Sequence, residues 1–333
     1  MTDRHCERGE AIRCKVLDCF VASRSARFRT ALLAMAMVAV AGAPSAHAET
    51  PTICGGQAVP LRIDDSGSPI AHLKLAGKDS DFLIDTGSTM SIVNADTFGI
   101  LPHTHATLRD FSLPTVSEGY FAAWDWLAHD RNIIGTDILR TRTIEIHYGP
   151  ADPYLALSAA QCPDGAPEKA GFARIDQQGY YGANESHKPP LPVVFVRIGR
   201  VTAPFYLDTG RGDFVDGGLL AVNQPYHDLL AKDGVAMNHI KTSHVSDCRG
   251  EDSEADVVRM NGRIIILSRT GGAELASYDA PPLMVLPEGA VCGNRNGPTP
   301  PFGLIGSSFL KKWGTVIIDP FTEAVWIKAD RAG

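Results

Sequence analysis

The sequence contains two copies of one pattern, in which an apolar strand-like run ends on Asp-Thr-Gly. The first copy is HLKLAGKDSDFLIDTGSTMSIV, which reaches its acid at Asp85, and the second is VFVRIGRVTAPFYLDTGRGDFV, which reaches Asp208. Leu75 and Ile198 each stand ten residues before their aspartate. Such a repeat indicates two similar structural units. Because aspartate is expensive to bury, ending a buried strand on it also suggests a chemical use for the carboxylate.

A second pattern also occurs once in each half. NIIGTDILRTRTIEIHYGP in the first half matches GLIGSSFLKKWGTVIIDPF in the second. In each, two large apolar residues and a glycine, Gly135 or Gly306, lead into a helical turn and then a strand. A single Asp-Thr-Gly reads equally well as an ordinary turn, since Asp and Gly are favoured turn residues. Two copies, each followed by apolar-apolar-Gly, are hard to obtain by chance.

The apolar pattern of the remaining chain predicts strands. Val, Ile, Phe and Leu recur with a period of two in short runs such as VFVRIG, RIIIL, TVIID and AVWIK, which Gly, Pro or Asp interrupt. Helical periodicity is confined to QPYHDLLAKDG, TDILRTR and SSFLKKW. We therefore predict an all-β protein with a few helical turns. Residues 159–190, poor in aliphatic side chains and rich in Gly, Pro and Ala, are predicted to link one unit at 49–158 to another at 191–330.

Residues 1–48 are predicted to be a secretory signal peptide with a long amino-terminal region. Arg24, Arg27 and Arg29 lie just before ALLAMAMVAVAGAP, and Ala46-His47-Ala48 fits a small-residue cleavage site. A transmembrane helix is the alternative, but it needs roughly 18 to 20 apolar residues, and Gly42 and Pro44 interrupt this stretch. The protein is therefore expected to be periplasmic or secreted, with no membrane contact once the signal is cleaved.

Four cysteines follow the signal, namely Cys54, Cys162, Cys248 and Cys292. An even number in an exported chain favours disulfides, although four cysteines allow three connectivities and the spacing alone does not choose among them. We predict the pairs Cys54 with Cys162 and Cys248 with Cys292.

Charge and histidine spacing argue against nucleic acid and metal as partners. The formal net charge is −7, and no basic stripe is present to replace the counterions of a nucleic acid. His103 and His105 form an H-x-H pair, but no third ligand stands at a recognised spacing, so a surface loop is the preferred interpretation. We predict neither a metal nor a cofactor.

The paired patterns resemble those of the aspartic protease superfamily. LIDTGST with NIIGTDIL is similar to the single-lobed retroviral type, and YLDTG with GLIGSSFLKKWGTVIIDP is similar to the carboxyl-terminal lobe of the pepsin type. The resemblance implies a bilobal acid-protease fold, with two β lobes related by a pseudo-twofold axis and the active site in the cleft between them. It also implies a ψ-shaped element under each Asp loop, formed by Ile134 with Gly135 and by Ile305 with Gly306.

The resemblance implies that Asp85 and Asp208 form a catalytic dyad. Two carboxylates within hydrogen-bonding reach share one proton. One can then take a proton from a water molecule while the other donates to the substrate carbonyl, with no covalent intermediate. Thr86 and Thr209 are implied to hydrogen-bond across the axis. The other residues expected to support the dyad are Gly87, Ser88 and Gly210, where glycine permits the tight turn.

The sequence thus predicts a monomeric exported aspartic endopeptidase that acts on peptides or proteins. A catalytically silent protein of the same fold, which binds peptides or inhibits another enzyme, stays open as the alternative. Two departures from the family pattern favour that alternative. Arg211 stands where the first loop has Ser88, and a cation there favours ionised Asp208. The first unit is also short, with Tyr120 as the candidate tip of a flap and the segment 221–300 as another candidate cover.

Overall fold

Strands form most of the structure. The computed structural model describes residues 52–125, 131–176, 191–212, 220–246, 252–287 and 300–328. These residues fold into two large mixed β sheets with a few short helices, which confirms the prediction of a mainly β protein. The predicted signal peptide, residues 177–190 of the predicted linker, Cys248 and Cys292 lie outside the described residues.

Ten strands and three short helices come from residues 57–176. The strands are β1 (Gln57–Ile63), β2 (Pro69–Leu75), β3 (Lys78–Ile84), β4 (Ile92–Asn94), β5 (His105–Arg109), β6 (Glu118–Trp124), β7 (Arg131–Ile134), β8 (Thr143–His147), β9 (Tyr154–Ser158) and β10 (Ala173–Asp176). The helices are α1 (Ala95–Phe98), α2 (Thr136–Leu139) and α3 (Ala166–Lys169).

Eleven strands and two helices come from residues 193–327. The strands are β11 (Val193–Ile198), β12 (Val201–Asp208), β13 (Leu220–Asn223), β14 (Met237–Ser246), β15 (Asp252–Met260), β16 (Arg263–Leu267), β17 (Glu274–Asp279), β18 (Leu283–Leu286), β19 (Gly303–Gly306), β20 (Thr315–Asp319) and β21 (Ala324–Ile327). The helices are α4 (Gln224–Lys232) and α5 (Ser307–Leu310), the latter followed by a 3₁₀ turn, Lys311–Trp313. All three predicted helical segments are confirmed by α2, α4 and α5.

The repeated sequence folds into a repeated strand arrangement. The 12-stranded sheet contains the order β2-β3-β7-β4-β6-β5, and the nine-stranded sheet contains the order β11-β12-β19-β13-β18-β15. Each strand that leads to an aspartate pairs in parallel with the strand that leads to the apolar-apolar-Gly glycine, β3 with β7 and β12 with β19. The next pairs match as well, because β4 runs parallel to β6 and β13 runs parallel to β18.

Alternation along the aspartate strands places the two carboxyl groups on the face turned away from the main core. Phe82 and Ile84 on β3, like Phe205 and Leu207 on β12, are fully buried in that core. Successive side chains of a strand point to opposite faces. Asp208 therefore shares its face of β12 with Tyr206, and a smaller apolar cluster that contains Tyr206 covers that face.

The two halves of the chain also share strands of one sheet. β20 pairs antiparallel with β8, and β10 pairs antiparallel with β21. Cys54 and Cys162 form a disulfide with their Cα atoms 4.5 Å apart, which confirms that predicted pair. Buried carboxylates accept the backbone N–H of each cysteine, Glu145 for Cys54 at 3.3 Å and Asp319 for Cys162 at 3.1 Å. No helix within the described ranges is long and apolar enough to cross a bilayer.

Candidate active site

Gly87 and Gly210 bring the two Asp-Thr-Gly loops into direct contact. A Cβ on Gly87 would lie within 2.7 Å of the carboxyl carbon and both carboxyl oxygens of Asp208. A Cβ on Gly210 would lie equally close to the carboxyl group of Asp85. Cβ atoms essentially never approach other atoms within 3.0 Å, so a larger residue at either position would displace the opposite carboxyl group. The two acids therefore face one another between the loops.

The threonines of the two loops exchange hydrogen bonds. The backbone N–H of Thr86 donates to the Thr209 hydroxyl oxygen at 3.0 Å, and the Thr209 N–H donates to the Thr86 hydroxyl oxygen at 3.2 Å. Each hydroxyl in turn donates to a carbonyl of the opposite strand. Both side chains are fully buried, so this network is shielded from water and holds the loops in register.

Backbone donors support each carboxyl group. The N–H groups of Gly87 and Ser88 donate to Asp85 Oδ1 at 2.8 and 3.0 Å. The Arg211 N–H donates to Asp208 Oδ1 at 2.9 Å. These bonds favour the ionised form of each acid, and they orient both carboxyl groups toward the contact between the loops.

Burial is nevertheless the largest influence on the pKa of both carboxyl groups, and it raises each of them. It raises the pKa of Asp85 well above the ordinary value of 3.8, and the neighbouring Asp208 carboxylate raises it further. Burial also raises the pKa of Asp208, but the Arg211 guanidinium and backbone N–H oppose the rise. Both side chains keep some contact with solvent. The pair therefore retains a proton more readily than two free carboxylates do.

The apolar-apolar-Gly elements contact both loops in equivalent ways. The N–H of Thr136 donates to the Ser88 carbonyl at 2.8 Å, and the N–H of Ser307 donates to the Arg211 carbonyl at 2.8 Å. The fully buried Ile134 accepts the Asp85 N–H at 3.0 Å. These bonds connect the end of each loop to the strand beside it.

Glycine is required in these elements because another backbone passes close to them. A Cβ on Gly135 would overlap the Met90 carbonyl oxygen, and one on Gly306 would lie 2.5 Å from the Arg211 carbonyl oxygen. The residue before Gly306, Ile305, is fully buried in the main core. The predicted ψ-loop residues therefore lie against the two Asp loops.

A serine-rich turn that the sequence did not single out braces the second loop. Asp64 Oδ1 accepts the N–H groups of Ser66 and Ser68, each at 2.9 Å. The Ser68 hydroxyl then donates to the Gly210 carbonyl at 3.4 Å, and a Cβ on Gly212 would overlap Ser66. The composition of DDSGSP signals only a turn. Nothing in the local sequence predicts that this turn contacts a loop 142 residues further along the chain.

A second missed pair steadies the first loop. Asp137 accepts the Ser91 N–H at 2.9 Å and the Ser91 hydroxyl at 2.6 Å. The Ser91 oxygen also accepts the Gly135 N–H at 2.9 Å. The equivalent hydroxyls of Thr136 and Ser307 donate to different loop positions, Thr136 to the Ser88 carbonyl and Ser307 to the Thr209 carbonyl.

Arg211 and Ser88 hold equivalent positions but make different contacts. The Ser88 hydroxyl donates to the Met90 carbonyl of its own loop at 2.7 Å. The Arg211 side chain instead places Nη2 3.1 Å from the sulfur of Met284 on β18. Among the described residues, no carboxylate lies within ion-pair distance of Arg211.

Tyr120 does not lie at the tip of a hairpin. It lies within strand β6, opposite Thr107 of β5, and stacks on His105 with ring centroids 5.2 Å apart. The turn that joins these strands, residues 110–117, packs against the main core instead of extending over the site. Its buried apolar side chains are Phe111, Leu113 and Val116.

The two histidines of the H-x-H pair, His103 and His105, pack against aromatic side chains. His103 lies 3.7 Å from Asp125 and packs edge-on against Trp124, while His105 stacks on Tyr120. Within the described ranges, no three metal-ligating side chains are grouped so that they could hold a metal ion.

No protein-family model and no curated protein sequence matches this chain. A functional assignment therefore depends on the chemistry of the paired loops.

Proposed function

We propose that the protein is an aspartic endopeptidase of the bilobal acid-protease fold, in which Asp85 and Asp208 activate a water molecule to hydrolyse peptide bonds. The observation that carries this proposal is the packing of each carboxyl group against the glycine of the opposite loop. An aspartate that serves only a turn is normally exposed to solvent. Two crowded carboxyl groups that face each other have the arrangement that shares one proton.

Two further features support this fold and its pseudo-twofold axis. The same order and direction of strands occurs around Asp85 and around Asp208. Thr86 and Thr209 make equivalent hydrogen bonds to each other's loops. Since both half-sites lie in one chain, we propose that the protein acts as a monomer. The disulfide suits a periplasmic or secreted location.

The different acidities of the two carboxyl groups suggest separate roles. Asp85 holds the shared proton, because the Arg211 guanidinium lowers the pKa of Asp208 whereas the equivalent position after Asp85 is the uncharged Ser88. Asp208, ionised beside Arg211, accepts a proton from the attacking water. Asp85 donates its proton to the carbonyl oxygen of the substrate, which gives a neutral tetrahedral diol. Collapse of the diol transfers a proton to the leaving amine, breaks the C–N bond and restores one proton to the pair.

A catalytically silent, peptide-binding protein is the alternative, and Arg211 is the observation that favours it. Its guanidinium lowers the pKa of Asp208 and so weakens the hold of the pair on a proton. The pair nevertheless keeps a raised affinity for a proton, because burial raises the pKa of both carboxyl groups. We therefore favour the active form, with Asp85 as the protonated member.

Activity can be tested with purified protein and a denatured protein mixture over a range of pH, from about 3 to 7. The proposal predicts cleavage that a pepstatin-like transition-state analogue blocks. Absence of cleavage at every pH, together with measurable peptide binding, would favour the silent alternative.

A further inference from the structure

We propose that Arg211 forms a subsite for a carboxylate of the peptide substrate. The protease would then favour an acidic side chain on the second-half side of the scissile bond and an apolar side chain on the other. This inference rests on the proposed function, since it assumes that a peptide lies across Asp85 and Asp208.

Arg211 lies next to Asp208, where the proposed function places the peptide. It stands three residues after Asp208, donates its N–H to that carboxyl group, and lowers the pKa of Asp208 by its charge. Its guanidinium reaches Met284, which belongs to the apolar cluster that also contains Tyr206. Tyr206 and Asp208 lie on the same face of β12, so Arg211 and Met284 lie on the face that carries the dyad.

Within the part of the chain that the structure describes, the Arg211 guanidinium has no anionic partner. Arginine has five N–H donors and normally meets carboxylates in paired hydrogen bonds. Among the described residues, the only hydrogen-bond acceptor of the Arg211 guanidinium is the Met284 sulfur, which is a weak acceptor. Arg211 is also half-buried, so its remaining donors are only partly satisfied by water. A substrate carboxylate supplies both the missing charge and the missing acceptors.

The positions of the first half that correspond to Arg211 and Met284 carry uncharged side chains, Ser88 and Ala122. The Ser88 hydroxyl stays within its own loop. Strand pairing shows that Ala122 is the first-half equivalent of Met284. Ala122 pairs with Ile92 between β4 and β6, and Met284 pairs with Ala221 between β13 and β18. A small apolar surface thus stands on one side of the dyad and a cation with a thioether on the other. This difference predicts that a peptide is recognised in one direction.

Peptide binding tests the subsite without relying on cleavage. We would use Asp85→Asn protein, which removes the shared proton, and short peptides acetylated and amidated at their ends. Peptides with Leu-Glu or Glu-Leu at the centre are each compared with their Gln counterparts, so that both directions of the bound chain are tested. At pH 6 and low salt, above the usual Glu pKa of about 4.3, one Glu peptide should bind about tenfold more tightly than its Gln counterpart.

The control is an arginine of the same half that lies far from the dyad. Arg200 precedes strand β12, about 25 Å of extended chain from Asp208, and pairs with Asp233. The Glu preference should disappear when Arg211→Gln is added to Asp85→Asn, and it should persist when Arg200→Gln is added instead. The carboxylate of a substrate can also come from the end of its chain, and a Gln peptide with a free carboxyl terminus tests this source. If only that peptide binds more tightly, the subsite stands and is assigned to chain ends.

Two results would overturn the subsite. One is equal or unmeasurable binding of the Glu peptides, the capped Gln peptides and the Gln peptide with a free carboxyl terminus by protein that retains Arg211. The other is a Glu preference that survives Arg211→Gln in a variant whose unfolding temperature shows that it is folded. These results differ from a failure of the proposed function. If wild-type protein cleaves nothing but the Arg211-dependent preference is present, the endopeptidase fails and the carboxylate subsite stands.

Discussion

The hydroxyl of Thr86 donates to the Leu207 carbonyl at 2.6 Å, and the hydroxyl of Thr209 donates to the Ile84 carbonyl at the same distance. Each threonine thus ties its own loop to the strand that carries the opposite aspartate. Because both threonines are fully buried, any replacement that removes a hydroxyl leaves backbone groups without a partner.

Replacing Thr86 with valine should therefore destabilise the protein by about 2–3 kcal/mol, since the Thr209 N–H and the Leu207 carbonyl lose their bonds. Thr86→Ser keeps the hydroxyl and should cost about 1 kcal/mol for the lost methyl group. Urea denaturation measures both values. Equal losses in the two variants would show that the hydroxyl contributes nothing to the junction of the loops.

Asp85→Asn and Asp208→Asn should each lower kcat by about 100- to 10,000-fold, because neither variant can share a proton between two carboxyl groups. The matched control is Asp79→Asn, an exposed aspartate on the same strand β3, which should leave kcat unchanged. Circular dichroism would verify the fold of each variant. Full activity in either dyad variant would rule out the proposed chemistry.

The raised pKa of Asp85 makes stability depend on pH. The folded protein holds this proton more tightly than the unfolded chain does, so the resulting stability is present below pH 3.8 and is lost as pH rises through the folded-state pKa. Asp85→Asn cannot ionise and should raise Tm by about 2 °C or more at pH 7. The difference should shrink toward pH 3. A Tm at or below that of the wild type at pH 7 would contradict the raised pKa.

Arg211→Ser should move the activity profile to higher pH. The guanidinium lowers the pKa of Asp208, so its removal lets that carboxyl group keep a proton at higher pH. The measurement is kcat/KM against pH for both proteins. The acid limb, which reports ionisation of Asp208, should shift more than the alkaline limb. Superimposable profiles would show that the arginine does not affect the dyad.

Loss of the Cys54–Cys162 disulfide should destabilise the protein by about 2–5 kcal/mol, because the bond closes a long loop with a sequence separation of 108. Substitution of both cysteines by alanine tests this by denaturation. Peptide mapping of unreduced protein should recover the two cysteines in one linked fragment. Free thiols at both positions would exclude the bond.

Much of the fold was predictable because its signals are local. The period-two runs that end at Asp85 and Asp208 became β3 and β12, and the helical segments after Gly135 and Gly306 became α2 and α5. Alternating burial and turn residues act over a few neighbouring positions, so a linear pattern suffices to identify such elements. The repeat added the further prediction that both halves would use the same elements.

The flap shows where a local pattern was insufficient. Tyr120, in SEGYFAA, was the candidate tip of a flap, yet it lies within β6. The turn at residues 110–117 is held by burial of its own apolar side chains in the main core. Which apolar residues reach a core depends on distant strands, and a short window of sequence does not contain them.

The sequence by itself determined the strands, the turns and the two acids that end them, since these depend on propensity and on the spacing of neighbouring residues. Only the tertiary structure decided how the acids differ. It placed each carboxyl group against the opposite glycine, braced the second loop with Ser68, and directed Arg211 toward Met284. These contacts join residues far apart in the chain, and the burial and charge they produce set the acidity of Asp85 and Asp208.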